Sequence, residues 1–333
     1  MLTVCWEGLN LDSTSLVTIF QSFLPAGALI NQGLRDCTVA ITGGLSLAVL
    51  NYRVKNQLGA YLAGLIVGDG HIYLPKNPKA TPIIEITFHS INLPLALKLL
   101  DVIGFGYIYP LIGQDAYRLV INNIEGLLRV VALVNGFFRT PKIASLHVLI
   151  TWLNLHSDSS FESLPVDDSS LMGNAWLAGF SEADSNFYIR TTLRKFNSAT
   201  GKWSKARTAC RYTIEQRKVE PRFGGTTELF MQMIATLFGV SLNTTTHYTP
   251  PQFYWSVDVS TLSGVQTVID YFDSYPLMGV KYLDYLDFKA AFSLIKQGAH
   301  LTDAGRLTIS SIKGNINKAR THRTWDHLSN FYT

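Results

Sequence analysis

The sequence predicts an α+β fold made of two pseudo-symmetric repeats, each with the order α-β-β-α-β-β-α and an antiparallel sheet. Three observations support this. The segment YLAGLIVGDG at residues 61–70 is matched by WLAGFSEADS at residues 176–185. The segments after both copies show the same order of helix and strand patterns. Between them, residues 157–170 are rich in serine and acidic residues and contain no Lys or Arg, which is typical of a linker.

The elements that follow each matched segment keep the same order in the two halves. An amphipathic helix ends at a glycine, alternating residues predict strands, a second glycine opens another helix, and closing helices follow. In the first half these patterns occupy residues 95–104, 117–121, Gly126 and 146–153. In the second half they occupy residues 229–239, 254–259, Gly264 and 283–295. So many features in one order indicate a true internal repeat.

The positions of the two repeats and of the linker divide the chain into four predicted parts. They are an N-terminal extension of unknown role (residues 1–55), a first repeat (56–156), a linker (157–170) and a second repeat (171–333). The uncharged stretches within the extension are too polar or too short to span a membrane. No basic segment precedes an apolar one, so a signal peptide is not expected either.

Composition narrows the class of protein. The chain has 333 residues, of which 47% are hydrophobic and 16% charged, and its net charge is +4. A core of good size can be buried, but this charge alone identifies no partner. The three cysteines, Cys5, Cys37 and Cys210, are far apart and form no CxxC motif, so neither a disulfide framework nor a zinc–thiolate site is expected. A reducing compartment fits this cysteine usage.

The two matched segments resemble the LAGLIDADG motif of homing endonucleases, and the resemblance covers about residues 56–320. In that family the two motif helices pack side by side, and their C-terminal ends bring two acidic residues together. The small residues in these segments suit close packing of two helices. They are Ala63, Gly64 and Gly68 in the first copy, and Ala178, Gly179 and Ala183 in the second.

Asp69 and Asp184 are the acidic residues that both copies share. The sixth position of the motif is Val67 in one copy and Glu182 in the other, so Glu182 is left out of the predicted pair. The resemblance implies that the two aspartates are catalytic and bind metal, with Gly68 and Ala183 as further metal contacts. Carboxylate oxygens suit Mg²⁺. The resemblance further implies two or three divalent ions, for which Ca²⁺ would substitute without turnover.

Three further residues are candidates for catalysis by the same resemblance. Lys142 and Lys281 match the lysines that the family places near the cleavage site, and Gln216 matches a residue that positions water. The first repeat has no glutamine in the corresponding region, which reads HSIN at residues 89–92. Ser185 also departs from the glycine that is usual at the end of the motif. The expected active site is therefore only partly symmetric.

The positive charge is concentrated in the second repeat. Residues 185–222 contain ten Lys or Arg and two Glu. Period-2 alternation predicts strands at residues 186–194 and 207–217, each with one apolar face and one basic face, and a loop at 197–205. A β-ribbon of this kind fits the DNA major groove. The predicted DNA-binding residues are Lys76, Lys79 and Arg118 in the first repeat, and Asn186, Tyr188, Arg190, Arg194, Lys202, Lys205, Arg207, Arg211 and Arg217 in the second.

The sequence thus predicts a monomeric, site-specific homing endonuclease. It would hydrolyse both strands of a long, non-palindromic DNA target, gripped by a saddle of two sheets. The resemblance places it in the mitochondrial matrix or in another organelle. An alternative is an RNA maturase on the same fold, with intron RNA as its partner. A third reading, a DNA-binding protein without activity, is disfavoured because both Asp69 and Asp184 are present.

Overall fold

The computed structural model describes residues 45–332, except residues 78, 193, 205, 223 and 248–250. The chain divides into two compact units, residues 1–52 and residues 53–333, and every feature discussed below lies in the second unit except the start of helix α1 (Leu45–Asp69). Most of the predicted N-terminal extension lies outside the described residues, as does Lys205. Within the part of the chain that the structure describes, no helix combines the length and the apolar character needed to cross a membrane.

The first half contains four helices and one four-stranded sheet. The helices are α1 (Leu45–Asp69), α2 (Leu93–Ile103), α3 (Ile124–Val134) and α4 (Ile143–His156). The strands are β1 (Gly70–Tyr73), β2 (Ile83–His89), β3 (Tyr107–Pro110) and β4 (Ala116–Ile121). They are antiparallel and lie in the order β1-β2-β4-β3.

The second half repeats this arrangement. Its helices are α5 (Trp176–Asp184), α6 (Glu228–Leu237), α7 (Leu262–Ser274), α8 (Lys281–Lys296) and α9 (Asp303–Lys313). Its main strands are β5 (Ser185–Thr192), β8 (Arg207–Arg217), β9 (Leu242–His247) and β10 (Gln252–Val259), which form an antiparallel sheet in the order β5-β8-β10-β9. The predicted α+β class and the two pseudo-symmetric sheets are therefore confirmed.

One predicted loop is a β-hairpin instead. Strands β6 (Phe196–Asn197) and β7 (Lys202–Trp203) pair across most of the segment 197–205, which the sequence had predicted to be a loop. Stacking of Arg194 on Trp203 and contact of Phe196 with Trp203 stabilise the two short strands. All three side chains are exposed, so period-2 alternation of buried and exposed residues is absent and the sequence pattern could not reveal the hairpin.

Helices cover one face of each sheet. Helix α2 contacts β2, β3 and β4 of the first sheet, whereas α7 and α8 contact β8 of the second. The apolar face of strand β2 is buried through Ile84, Ile86 and Phe88, while the residues between them are only partly covered. Glycine in a left-handed conformation ends α2 at Gly104, where φ is 78°. Each sheet therefore keeps one face for contacts outside the core.

The two motif helices, α1 and α5, are in direct backbone contact. A Cβ atom at Gly64 would lie 2.1 Å from the carbonyl oxygen of Trp176. In the reciprocal contact, a Cβ atom at Gly179 would lie 1.9 Å from the carbonyl oxygen of Tyr61. Only glycine allows an approach of this kind. The helices pack side by side, as the resemblance implied.

The linker segment, residues 157–170, is largely exposed but is also held against the first half. Asn135 Nδ2 donates to the Glu162 carbonyl oxygen at 2.7 Å, and the Asp167 amide donates to the Phe138 carbonyl oxygen at 2.9 Å. The fully buried Arg139 side chain pairs with Asp167 at 2.6 Å and lies over the ring of Trp176. The segment therefore orders the chain just before Lys142 as well as joining the halves.

Replacing Gly64 by Ala tests the close packing of the motif helices. The added Cβ would force the two backbones apart, so the free energy of unfolding should fall by about 3 kcal/mol or more. Urea denaturation measures the change. Gly173→Ala is the matched control, because nothing lies within 4 Å of a Cβ at that position, and it should change stability by less than about 0.5 kcal/mol. Equal stability of the two variants would contradict the packing.

Candidate active site

Asp69 and Asp184 are the last residues of α1 and α5. A Cβ atom at Gly68 would lie 2.3 Å from the Ala183 Cβ and 3.5 Å from Asp184 Oδ2. The last turns of the two helices therefore touch. Because each helix ends at its aspartate, this contact brings one carboxyl group from each half into the same small region.

Burial and like charge raise the pKa values of both carboxyl groups. The pKa of Asp184 is raised to about 7, first by burial and then by the negative charge of Asp69, while Lys281 and Lys142 act in the opposite direction. Burial also raises the pKa of Asp69, again against the two lysines. The Asp69 side chain is exposed, so solvent screens part of this effect. Ionising both carboxyl groups is therefore unfavourable unless a cation is bound beside them.

The two candidate lysines cap the motif helices. Lys142 Nζ donates to the carbonyl oxygens of Ile66 (3.1 Å), Val67 (2.5 Å) and Gly70 (3.0 Å) at the end of α1. Lys281 Nζ does the same for α5, through Ser181 (2.9 Å) and Ala183 (3.1 Å). A cation at the C-terminus of a helix is favoured by the free carbonyl groups and the helix dipole.

Burial lowers the pKa of both lysines. For Lys142 the nearby charges of Asp184, Glu220 and Asp69 counteract this, and for Lys281 those of Glu182, Asp69 and Asp184 do so. Each lysine therefore responds to the aspartates of both halves. The structure brings four of the five predicted catalytic side chains into one electrostatic cluster.

Gln216, the fifth, also reaches this cluster, since its Nε2 donates to Asp184 Oδ2 at 3.2 Å. The sheet register identifies its counterpart in the first half. Ser185 pairs with Ile214, and Gly70 pairs with Ile86, so Gln216 corresponds to Phe88. Phe88 is buried and has no polar group. The sequence analysis placed the corresponding region at residues 89–92, whereas the register places the counterpart of Gln216 at Phe88.

Glu182, which the sequence analysis left out of the aspartate pair, is close to the site. Its carboxylate is buried and accepts hydrogen bonds from the amides of Met278 (2.6 Å) and Gly279 (2.7 Å). Burial raises its pKa against these hydrogen bonds and the charge of Lys281. The sequence signals this role only by a second acidic residue in the motif helix, beside Asp184, and does not reveal its partners.

The donor set fits small divalent cations. Among the described residues, no group of three or more His, Cys, Asp or Glu side chains is placed to hold a metal. Two carboxylates are nevertheless sufficient for Mg²⁺, which keeps several water molecules and takes other ligands from substrate phosphates. Burial and, after it, the negative charge of Asp69 raise the pKa of Asp184, and a bound cation would oppose both effects by favouring the carboxylate. The carbonyl of Ala183 already accepts a hydrogen bond from Lys281, at 3.1 Å.

The face of the second sheet opposite the helices is strongly polar. Asn186 pairs with Thr213, Tyr188 with Arg211 and Thr192 with Arg207, so their side chains share this face. Arg190, Arg194, Lys202, Arg207 and Arg217 are exposed. Arg211 differs, because it forms an ion pair with Asp258 and a hydrogen bond with the Tyr188 hydroxyl. Its charge is thus compensated within the sheet.

The first sheet offers fewer cations on the equivalent face. Arg118 is partly buried and pairs with Glu85 at 3.3 Å. Lys76 and Lys79 are exposed in the turn between β1 and β2. Tyr107 and Tyr109 stack on this face, with ring centroids 6.1 Å apart. The outer faces of the two sheets therefore differ in their chemistry.

Comparisons with known proteins point to one family. The family model described as LAGLIDADG endonuclease matches residues 177–292. The intron-encoded DNA endonuclease aI3 of Saccharomyces cerevisiae is 30% identical over 319 residues, which is 85% of this chain and 74% of the relative. An uncharacterised cox1 intron-2 protein of Schizosaccharomyces pombe is 29% identical over 90% of this chain and 88% of its own length.

Solved structures show the same fold. The LAGLIDADG homing endonuclease I-LtrWI bound to target DNA gives a TM-score of 0.59 at 19% identity, covering 80% of this chain and 99% of that one. I-SmaMI bound to uncleaved DNA in the presence of calcium ions gives 0.54 at 20% identity, covering 78% and 99%. Over a shorter segment, 43% of this chain and 22% of the relative, the intron-encoded RNA maturase bI4 of Saccharomyces cerevisiae is 31% identical.

The raised pKa of Asp184 has a consequence for stability. The folded protein keeps this proton up to about pH 7, whereas the unfolded chain loses it near the ordinary value of 3.8. Because the folded state binds more protons in this window, the metal-free protein should lose stability as the pH rises through it. Asp184→Asn should therefore raise the melting temperature at pH 8, by an amount on the order of 2 °C, and have less effect at pH 5.

Thermal melts in EDTA at the two pH values measure this difference. Asp158→Asn removes an exposed carboxyl group from the linker and serves as the control. The control should show no comparable pH-dependent gain. A gain for Asp184→Asn that is the same at pH 5 and pH 8 would mean that the carboxyl group is not held protonated in the folded protein.

Proposed function

The chain belongs to the LAGLIDADG endonuclease family, and from this premise we propose that it is a site-specific homing endonuclease. It hydrolyses both strands of a long, non-palindromic double-stranded DNA target and depends on divalent metal ions. The observation that carries the proposal is the meeting of Asp69 and Asp184, one from each half, at the contact between the two motif helices.

Asp69 and Asp184 are the proposed metal-binding residues, with Gly68 and Ala183 beside them. Two or three Mg²⁺ ions would complete the site, and Ca²⁺ would occupy it without turnover. When bound, such ions supply an activated water and stabilise the charge of the leaving oxygen. The protein provides a fixed site for them, because neither helix end can move without breaking the glycine contacts.

Lys142, Lys281 and Gln216 act around the two carboxylates. The lysines hold the ends of the motif helices and keep positive charge next to the position of the scissile phosphates. Gln216, hydrogen-bonded to Asp184, is placed to orient a water molecule in the second half. Phe88 cannot do this in the first half, so we expect the two strand-cleavage reactions to differ in rate.

The outer faces of the two sheets are the proposed saddle for DNA. In the first sheet, Lys76, Lys79 and Arg118 make contacts. In the second sheet the contacts come from Asn186, Tyr188, Arg190, Arg194, Lys202, Arg207, Arg211 and Arg217, and we include Lys205 by its position in the sequence. Exposed arginines and lysines suit phosphates, and the ordered Arg211 suits a base edge. Because one chain supplies both sheets and the sheets differ, we expect a monomer to bind a target whose two halves also differ, which is a non-palindromic site.

Maturase activity is the second candidate, supported by the similarity to an RNA maturase over part of the chain. It uses the same fold but takes intron RNA as its partner. The similarity to a cox1 intron protein supports work in the mitochondrial matrix for either activity. Splicing assays with group I intron RNA, run beside DNA cleavage assays, would distinguish the two.

Substituting the aspartates tests the proposed chemistry. After the target is selected from a randomised duplex library in Mg²⁺, Asp69→Asn and Asp184→Asn should each lower cleavage by about a thousandfold or more, since each loses a metal ligand. Neither removes a phosphate-binding cation, so the Kd for the target in Ca²⁺ should stay within about threefold. If both single variants cleave DNA at the wild-type rate, the two aspartates do not belong to the active site.

The salt dependence of binding tests the proposed DNA surface. Each phosphate neutralised adds about −0.9 to the slope of log K against log salt, so Arg190→Ala with Arg194→Ala should make it shallower by up to about 1.8. Arg211→Ala should change the slope less, because Asp258 already compensates its charge. Lys98→Ala, on helix α2, is the control and should leave it unchanged. A double variant that behaves like the control would place DNA elsewhere.

A further inference from the structure

The amides of the loop that precedes helix α8 are bound by side chains from other parts of the chain. This 278–280 loop, which consists of Met278, Gly279 and Val280, leads directly into Lys281. Met278 and Gly279 are buried. Buried amides need acceptors, and here the acceptors for all three are side chains.

Glu182 supplies two of these acceptor contacts. Its Oε1 accepts from the amides of Met278 (2.6 Å) and Gly279 (2.7 Å), and it also accepts from the Tyr61 hydroxyl at 3.3 Å. A Cβ atom at Gly279 would lie 2.5 Å from Glu182 Oε2, so glycine is required for this approach. Tyr61 belongs to α1, and the contact therefore connects the loop to the first half.

Asn92 supplies the third acceptor, again from the first half. Its Oδ1 accepts from the Val280 amide at 2.9 Å. His327, in the C-terminal segment, has its Nε2 at 3.0 Å from the Met278 carbonyl oxygen and its ring stacked on Tyr282. The loop is thus fixed from three sides. The residue that it presents, Lys281, then reaches the carbonyl oxygens of Ser181 and Ala183.

The first half has no counterpart to Glu182. The equivalent position of the first motif is the buried Val67. The loop before Lys142 is instead held by Arg139, which donates to the Ser169 carbonyl oxygen at 2.7 Å and pairs with Asp167. The two lysines are therefore positioned by unrelated sets of contacts.

We propose that Glu182, together with Asn92, is a positioning residue that fixes the 278–280 loop and thereby places Lys281 at the end of the second motif helix. Neither residue touches the reacting atoms. Their loss leaves buried amides without acceptors, frees the loop, and lets Lys281 Nζ leave its carbonyl partners. Lys142 keeps its own contacts. The consequence for catalysis, which rests on the proposed function, is selective slowing of one strand.

Lysine labelling of the DNA-free and metal-free protein tests the first part without relying on activity. Glu182→Val copies the residue of the first motif, and Asn92→Ala removes the contact from the other half. Both should increase acetylation of Lys281 by an N-hydroxysuccinimide ester, measured by mass spectrometry, roughly fivefold or more. Labelling of Lys142 should stay at its wild-type level and serves as the internal reference.

Two further variants separate positioning from general loss of structure. Glu182→Gln keeps an oxygen acceptor for the two amides and should label like wild type. Asn154→Ala removes a side chain that is hydrogen-bonded to both the amide and the carbonyl oxygen of Phe161, in the linker, and that has no hydrogen bond to the 278–280 loop. It should destabilise the protein without exposing Lys281. If Glu182→Val fails to fold, Asn92→Ala decides the result alone.

Strand-resolved cleavage of a supercoiled plasmid carrying the target tests the second part. Asn92→Ala should slow one strand roughly tenfold relative to the other and accumulate nicked plasmid, with little change in the Kd for DNA. Unchanged Lys281 labelling in Asn92→Ala and in folded Glu182→Val overturns the positioning role, whatever the enzyme does. Raised Lys281 labelling in these variants, together with a wild-type protein that cuts no DNA, would instead uphold the positioning role and refute the proposed function.

Discussion

The contact between α1 and α5 is the constraint on which the rest of the structure depends. Gly64 and Gly179 are pressed against the opposite helix so closely that a single Cβ would overlap a carbonyl oxygen in either direction. Two backbones this close cannot slide or rotate independently. The position of each helix end is therefore set by the other helix, and one carboxyl group from each half arrives at the same place.

This arrangement has an electrostatic cost that the surrounding residues only partly offset. Burial and mutual repulsion raise the pKa of Asp184 to about 7, and the lysines that could neutralise the carboxylates are themselves partly buried and engaged with helix carbonyls. The site therefore remains short of positive charge. A deficit of positive charge around carboxylates is common at sites that bind a cation, because the bound cation supplies the missing charge. Binding of the proposed metal ions would recover the stability lost here.

The features that local sequence patterns encode were predictable from the sequence. The doubled motif, the small residues and the shared aspartates identified the two helices and the acidic pair, and period-2 alternation located β8 within its observed bounds, Arg207–Arg217. Contacts that depend on long-range register were not predictable. Phe88 corresponds to Gln216 only through strand pairing, and Arg211 meets Asp258 from a strand 47 residues away. The roles of Glu182 and of the linker also appear only once the chain is folded.

The most direct test of the central claim is the location of metal ions in crystals of the protein with its uncleaved target and Mn²⁺, from anomalous difference density. A single shared site predicts density at the contact of α1 and α5, with ions within about 2.2 Å of carboxylate oxygens from both Asp69 and Asp184. Density bound to only one of the two aspartates, or to neither, would contradict the account, since the packing of the motif helices would then not serve to build a common metal site.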